Sequence, residues 1–257
     1  MAARKKKNGG WHYFIRASLI ALIALAGFAL YEWAFFSRGR FERYPDFGIR
    51  LPVDFTVHGI DVSKYQQIID WEKVQQMKVK NVNLRFAFIK ATEGVSRKDP
   101  FFNRNWKKAR QAGVIAGAYH FFIPGKSGKA QAEHFIRQVE LQSGDLPPVI
   151  DIEQTYGVPA DLLQKRVREF MECLERNYKI KPIIYTNVEF YRKYLDESFD
   201  SYPLWVAHYL QRGRPRIFRS WTFWQHSETG RVNGIRHQVD FNVFNGDEKA
   251  FQEMRIP

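Results

Sequence analysis

The stretch Pro147-Pro148-Val149-Ile150-Asp151-Ile152-Glu153 decides how the rest of the chain is read. Neither proline donates a backbone hydrogen bond, so whatever precedes them stops, and the β-branched apolar run that follows reads as a short buried strand. Two acids interrupt it. Side chains alternate faces along a strand, which puts Asp151 and Glu153 on one face, roughly 6.5–7 Å apart along the backbone, and Ile150 and Ile152 on the other. Like charges that close push one pKa upward and leave a proton donor beside an anion, the pairing that cleavage of a glycosidic bond needs. A strand end running into solvent with two ordinary acids is the competing reading, and the rest of the chain separates the two.

Outward from this stretch the punctuation is regular. Short apolar runs recur at 57–62, 86–90, 115–121, 149–153, 182–186, 204–208, 222–226 and 238–241. Helical periodicity separates the early ones: the clearest helix is expected over 159–178, with Leu163, Val167, Phe170, Met171, Leu174 and Tyr178 on one face, and others over 70–78, 101–112 and 129–142. The last strands lie closer together and leave little room for helices. Eight strands in this rhythm predict a parallel α/β barrel with an irregular final third, whose function gathers at the carboxyl ends of the strands. Each run carries polar or aromatic groups there: Asp61; Lys90 and Glu93; Tyr119 and His120; Asp151 and Glu153; Tyr185 and Asn187; Trp205, His208 and Tyr209; Trp224, Gln225 and His226; and Asp240. Eight coincident placements favour a ring of site residues over eight solvated strand ends.

The 257 residues are 45% hydrophobic and 16% aromatic, enough for a sizeable core. One cysteine, Cys173, excludes an internal disulfide and reads as a small packed side chain. Net charge is +13, and residues 1–50 hold nine Lys or Arg against three acids. A basic surface suits an anionic glycan or a membrane face. No basic stripe interleaved with aromatics and no nucleic-acid motif is present, so nucleic acid is not an expected partner. The histidines lack metal-ligand spacing, and no metal site is expected.

At the amino end, Arg4-Lys5-Lys6-Lys7 precedes an apolar run from Ala17 to Tyr31 that resumes at Trp33-Ala34-Phe35-Phe36, with Trp11 and Tyr13 before it. Basic residues ahead of such a run, and aromatics at both ends, predict an uncleaved transmembrane signal-anchor with the amino terminus in the cytoplasm and the rest of the chain outside it. Ala24-Leu25-Ala26 before Gly27 keeps a cleaved, secreted form open. Residues 1–36 are thus expected to be tail and anchor, 37–56 an aperiodic juxtamembrane linker, and 57–257 the catalytic domain.

Six ordered motifs carry a resemblance: His58-Gly59-Ile60-Asp61-Val62-Ser63 with Gln66 and Ile69-Asp70-Trp71; Phe88-Ile89-Lys90-Ala91-Thr92-Glu93-Gly94; Asp99-Pro100-Phe101-Phe102; Gly117-Ala118-Tyr119-His120-Phe121; Asp151-Ile152-Glu153; and the late Asp240. Together they resemble glycoside hydrolase family 25, the Chalaropsis-type lysozymes or N-acetylmuramidases that cut peptidoglycan. The resemblance implies a flattened TIM-like (β/α)5β3 barrel and active-site acids at Asp61, Asp151, Glu153 and Asp240. It implies hydrolysis of the β-1,4 bond between N-acetylmuramic acid and N-acetylglucosamine, with no metal or organic cofactor.

Chemistry then suggests roles. Glu153, with the longer stem, is expected to be the general acid. Asp151 is expected to stay ionised, either as a nucleophile or, as we favour, orienting the 2-acetamido group of the sugar so that the substrate attacks itself. Asp61 and Asp240 are expected to hold hydroxyls, tune Asp151 or position water. Tyr119, Tyr185, Trp205 and Trp224 are expected as walls for sugar rings, with Lys90, Glu93 and Gln225 as further substrate contacts. A single copy is expected to suffice. A catalytically silent glycan-binding module is the alternative, which the presence of all four acids disfavours.

Overall fold

The computed structural model describes residues 9–36, 39–211 and 213–257; the basic run Arg4–Lys7 and the start of the expected linker lie outside them. In chain order the elements are α1 (Gly9–Phe36), β1 (Phe41–Tyr44), β2 (Ile49–Pro52), β3 (His58–Val62), α2 (Trp71–Gln76), β4 (Lys78–Val79), β5 (Val82–Glu93), β6 (Arg97–Lys98) and α3 (Phe102–Gln111). There follow β7 (Ile115–Phe121), α4 (Gly128–Gln138), β8 (Val149–Asp151), α5 (Ala160–Tyr178), β9 (Ile183–Asn187), α6 (Val188–Tyr194), β10 (Leu204–Ala207), β11 (Phe223–Gly230), β12 (Val239–Phe244) and α7 (Glu248–Glu253).

Eight strands close a barrel in the order β3-β5-β7-β8-β9-β10-β11-β12, with β12 returning to β3. Helices α2 to α6 each follow one of the first five barrel strands, and β10 and β11 are followed by none, so the (β/α)5β3 plan holds. The expected all-parallel direction does not. Strand β12 runs antiparallel to both β11 and β3. The eight residues between β11 and β12 are too few for a helical crossover, which a parallel return requires.

Alternation sorts the side chains. Outward residues of the strands pack under the helices, where α5 presents Leu163, Val167, Phe170, Met171 and Leu174, all buried. Local signals set these helices: Asp70, Ser127 and Asn187 accept hydrogen bonds from the first-turn amides of α2, α4 and α6. Inward residues fill the barrel with aromatic rings: Phe86, Phe88, Trp205, Phe223 and Phe244, closed below by Phe251 of α7. Two glycines make room for them. A Cβ on Gly59 or on Gly117 would lie 2.5 Å from the ring of Phe86 or of Phe88, respectively, which is why the first and third barrel strands carry glycine at those inward positions.

The expected linker is largely folded. Strands β1 and β2 pair as an antiparallel hairpin. Its Tyr44, Phe47 and Leu51 are 1%, 0% and 0% exposed and belong to the main core. Phe47 meets Phe241 at 5.2 Å and Phe41 meets Trp224 at 5.9 Å between ring centroids, so the hairpin covers the outer faces of strands that lack a helix. Strands of four residues are too short to show periodicity, and the reason for their folding lies in the bare flank they cover. Replacing Phe47 by Ala is expected to lower unfolding stability by about 3–5 kcal/mol. Urea unfolding followed by near-UV circular dichroism checks this; an unchanged midpoint would return the segment to the status of a linker.

Candidate active site

The acids converge at one end of the barrel. Asp61 stands at the end of β3, and Asp240 lies directly opposite it in register on β12. Because β12 is reversed, Asp240 reaches the mouth from the start of its strand and not from its carboxyl end. Strand β8 stops at Asp151, but the Ile152 amide still donates to the Tyr185 carbonyl at 3.0 Å, so the alternation carries through to Glu153. Asp151 is buried and Glu153 half-buried, nearer the opening.

A network orients Asp61. Its Oδ1 accepts from Gln225 Nε2 at 2.8 Å and from Asn242 Nδ2 at 2.7 Å. Gln225 in turn accepts from the hydroxyls of Tyr185, at 2.7 Å, and Tyr209. Asn242 accepts from Trp205 Nε1 at 2.7 Å. Asn242, Gln225 and Trp205 are buried strand residues, whereas Tyr209 lies beyond the end of β10 and is half-buried. Beside it, Lys90 Nζ donates to Glu93 at 2.8 Å, and Arg97 holds the other Glu93 oxygen at 2.9 Å.

Burial sets the protonation. It raises Asp61 to about 6 against the opposing pull of Asn242 and Gln225, and raises Asp240 to about 9 with the charge of Asp61 adding to it. Burial also raises Asp151 well above its ordinary value, reinforced by Glu153; Lys90 opposes the shift. Glu153 is raised too, by burial first, with its hydrogen bond to Asp151 acting the other way. Both acids of the pair are thus held above the ordinary carboxylate range, the buried Asp151 more strongly than Glu153. Asp151 Oδ1 is buried and has no hydrogen-bond partner. Tyr119 and Tyr185 are kept protonated by burial and by these carboxylates.

The other expected residues divide. Tyr119, Tyr185 and Gln225 lie under the acids, inside the barrel. Trp205 is inside but lower, 1% exposed and stacked on Phe88 at 4.3 Å, so it is floor and not wall. Trp224 is on the opposite face of β11: it is fully buried, donates from Nε1 to the His208 carbonyl and packs against Phe41 and Trp221. One step of alternation separates it from Gln225. His120 and His226 also face outward, His120 against Phe170 and bonded to Thr92 at 2.7 Å. Asn242 is a site residue that the sequence reading missed; it lies two positions beyond Asp240 on the same face, and that spacing was the available signal. Among the described residues no three His, Cys, Asp or Glu are placed to hold a metal ion.

The barrel gathers four carboxyls at its mouth, and the chain belongs to the glycosyl hydrolases family 25, whose family model matches residues 60–235. It is 46% identical over 206 residues to the "Uncharacterized protein YegX" of Escherichia coli (strain K12), covering 80% of this chain and 76% of that one. It is 38% identical over 206 residues to Lysozyme M1 of Streptomyces globisporus, covering 74% and 68%. The solved family 25 glycosyl hydrolase from Bacillus anthracis superposes with a TM-score of 0.72 at 36% identity, over 78% of this chain and 94% of that one.

Raised carboxyl pKa values have a sign for stability. The native state binds these protons more tightly than the unfolded chain, so their contribution is full below the ordinary carboxylate range and falls as pH rises through about 6 for Asp61 and about 9 for Asp240. Asp240→Asn is therefore expected to resist urea better than the native chain at about pH 8 and to flatten the alkaline decline. Urea midpoints measured across the neutral to alkaline range test this, and parallel declines in both proteins would contradict it.

Proposed function

We propose that the chain is a muramidase, hydrolysing the β-1,4 bond between N-acetylmuramic acid and N-acetylglucosamine in peptidoglycan. The observation that carries this reading is the Asp151–Glu153 pair, with one oxygen of Asp151 buried and unpartnered at the barrel mouth. Names of relatives such as Lysozyme M1 agree with it.

The mechanism follows from where the proton sits. In the free site the pair shares one proton, held by Asp151. A sugar entering the mouth offers the N–H of its 2-acetamido group to Asp151 Oδ1, which favours the ionised form of Asp151 and passes the proton to Glu153. Glu153, nearer the opening, gives it to the glycosidic oxygen as the bond to C1 breaks. The acetamido carbonyl oxygen bonds to C1 and forms an oxazolinium ring. Glu153, now a carboxylate, takes a proton from water, whose oxygen attacks C1 and reopens the ring. Both acids leave one strand on the same side, which favours this route over direct attack by Asp151, since a nucleophile belongs on the face opposite the leaving group. Asp61 and Asp240 hold substrate hydroxyls or water above the tyrosine floor, and Lys90 limits how far the pair's pKa values rise.

We also propose that α1 is an uncleaved signal-anchor that leaves the barrel outside the cytoplasm. Its apolar span Tyr13–Ala34 has 22 residues, about 33 Å of helix, matching a bilayer's hydrocarbon core. Mass spectrometry of the mature chain is expected to find residues 1–26 retained, and a start at Gly27 would contradict the anchor.

Glu153→Gln is expected to lower turnover of purified peptidoglycan by about 10²–10⁴-fold. Muropeptides released by the native chain are expected to end in reducing N-acetylmuramic acid. Reducing N-acetylglucosamine would make the enzyme a glucosaminidase, and no release by the native chain would favour a glycan-binding module.

A further inference from the structure

The anchor and the barrel are separated by almost no chain. Phe36 ends α1, and Gly39 is already docked: a Cβ on Gly39 would lie 2.6 Å from the Gly213 backbone, which leaves no room for it. The next residue is fixed as well, since the Arg40 amide donates to Asp54 at 2.9 Å and the Arg40 carbonyl accepts from Val53 at 2.9 Å. Three residues of extended chain reach at most about 11 Å. On the anchor reading, on which this inference rests, the flank of the barrel that carries the hairpin is held against the bilayer surface.

That flank carries the exposed arginines Arg43 and Arg50 together with the exposed acids Glu42 and Asp46, of which Glu42 is paired with Lys80. Arg43 and Arg50 are paired directly across the hairpin on its outward face, a like-charge pairing that destabilises a two-stranded ribbon unless an anion lies over it. Both are exposed, and the Arg50 guanidinium is bonded to a backbone carbonyl, that of Phe41 at 2.8 Å. Arg40 and Arg214 flank Asp54 at the hairpin's base, two cations around one acid. Across a groove of about 770 Å³ lined by Gly39, Phe41, Arg50 and Gln211 stands Leu210, 96% exposed, with a φ of +57° that L side chains rarely adopt. An apolar side chain held fully out in a strained turn, lining one groove with Arg50, is the composition of a protein surface that rests on a lipid interface.

We propose that the outer face of the β1–β2 hairpin, with Arg40, Arg214 and the Leu210 tip, docks on the anionic phospholipid headgroups of the bilayer that α1 crosses. The arginines take headgroup phosphates, the groove accommodates a headgroup, and Leu210 enters the acyl boundary. Docking fixes the barrel on its side against the membrane, so that its mouth opens along the surface toward glycan lying close to the bilayer.

The test uses the full chain in phosphatidylcholine nanodiscs with and without phosphatidylglycerol, read by amide hydrogen exchange. Exchange in residues 41–52 and 208–214 is expected to slow when phosphatidylglycerol is present. Each arginine contributes roughly fivefold to the docked population at low salt. Arg43→Glu/Arg50→Glu and high salt are both expected to abolish the slowing, and the variant is expected to cleave soluble glycan fragments as the native chain does. Equal exchange in the two lipids would overturn the proposal, as would slowing caused by acidic peptidoglycan fragments and not by lipid. Vesicle flotation reads the anchor separately: a chain that fails to float takes the proposal down with the anchor, whereas a floating chain with equal exchange removes the docking alone.

Discussion

Burying several carboxyl groups in one small space is the constraint on which the rest of this molecule depends. Register sets Asp61 opposite Asp240, and strand alternation sets Asp151 beside Glu153. Water cannot screen these groups from below, because Phe86, Phe88, Trp205 and Phe223 fill the barrel beneath them. Each acid therefore holds its proton more tightly, and each ionised acid raises the proton affinity of its neighbours. The hydrogen-bond network through Asn242, Gln225, Tyr185 and Tyr209 is directed at Asp61 and leaves Asp151 Oδ1 without a partner. A carboxyl oxygen left bare in the interior is a cost that a substrate amide can relieve.

The second constraint is topological. Five strands carry helices that shield their outer faces, and the last ones do not. A short return between β11 and β12 reverses the final strand, which brings Asp240 to the mouth, and also leaves Trp224, His226 and Phe241 without a helix above them. The hairpin fills that place with Phe41, Tyr44, Phe47 and Leu51. One consequence is that residues 41–52, which read as a linker, are spent in covering the barrel.

Much of this was legible in the residues. Eight apolar runs, the helix face of Leu163, Val167, Phe170, Met171 and Leu174, and a ring of polar groups at the strand ends follow from periods of 2 and 3.6 applied to the chain, whereas the choice of four acids among those groups rested on the family resemblance. Direction was not legible: a strand's pattern is the same read up or down, and only the length of the connection before β12 indicated that Asp240 enters from the other end. Depth was not legible either. Trp205 and Trp224 sit on the expected strands, yet one lies a layer too low and the other one residue out of phase, because an aromatic beside a polar residue carries no sign of which face it takes. Asn242 was overlooked since an amide between apolar residues has no catalytic signature of its own. The proton order within the Asp151–Glu153 pair depends on burial, which sequence spacing does not measure.

Carboxyl-carbon NMR titration of Asp151 and Glu153 in the substrate-free chain bears on this most directly. The account predicts that the two signals move together as one coupled pair, with Asp151 keeping its proton well above the usual carboxylate range near about 4. Two independent titrations, each within that usual range, would contradict it.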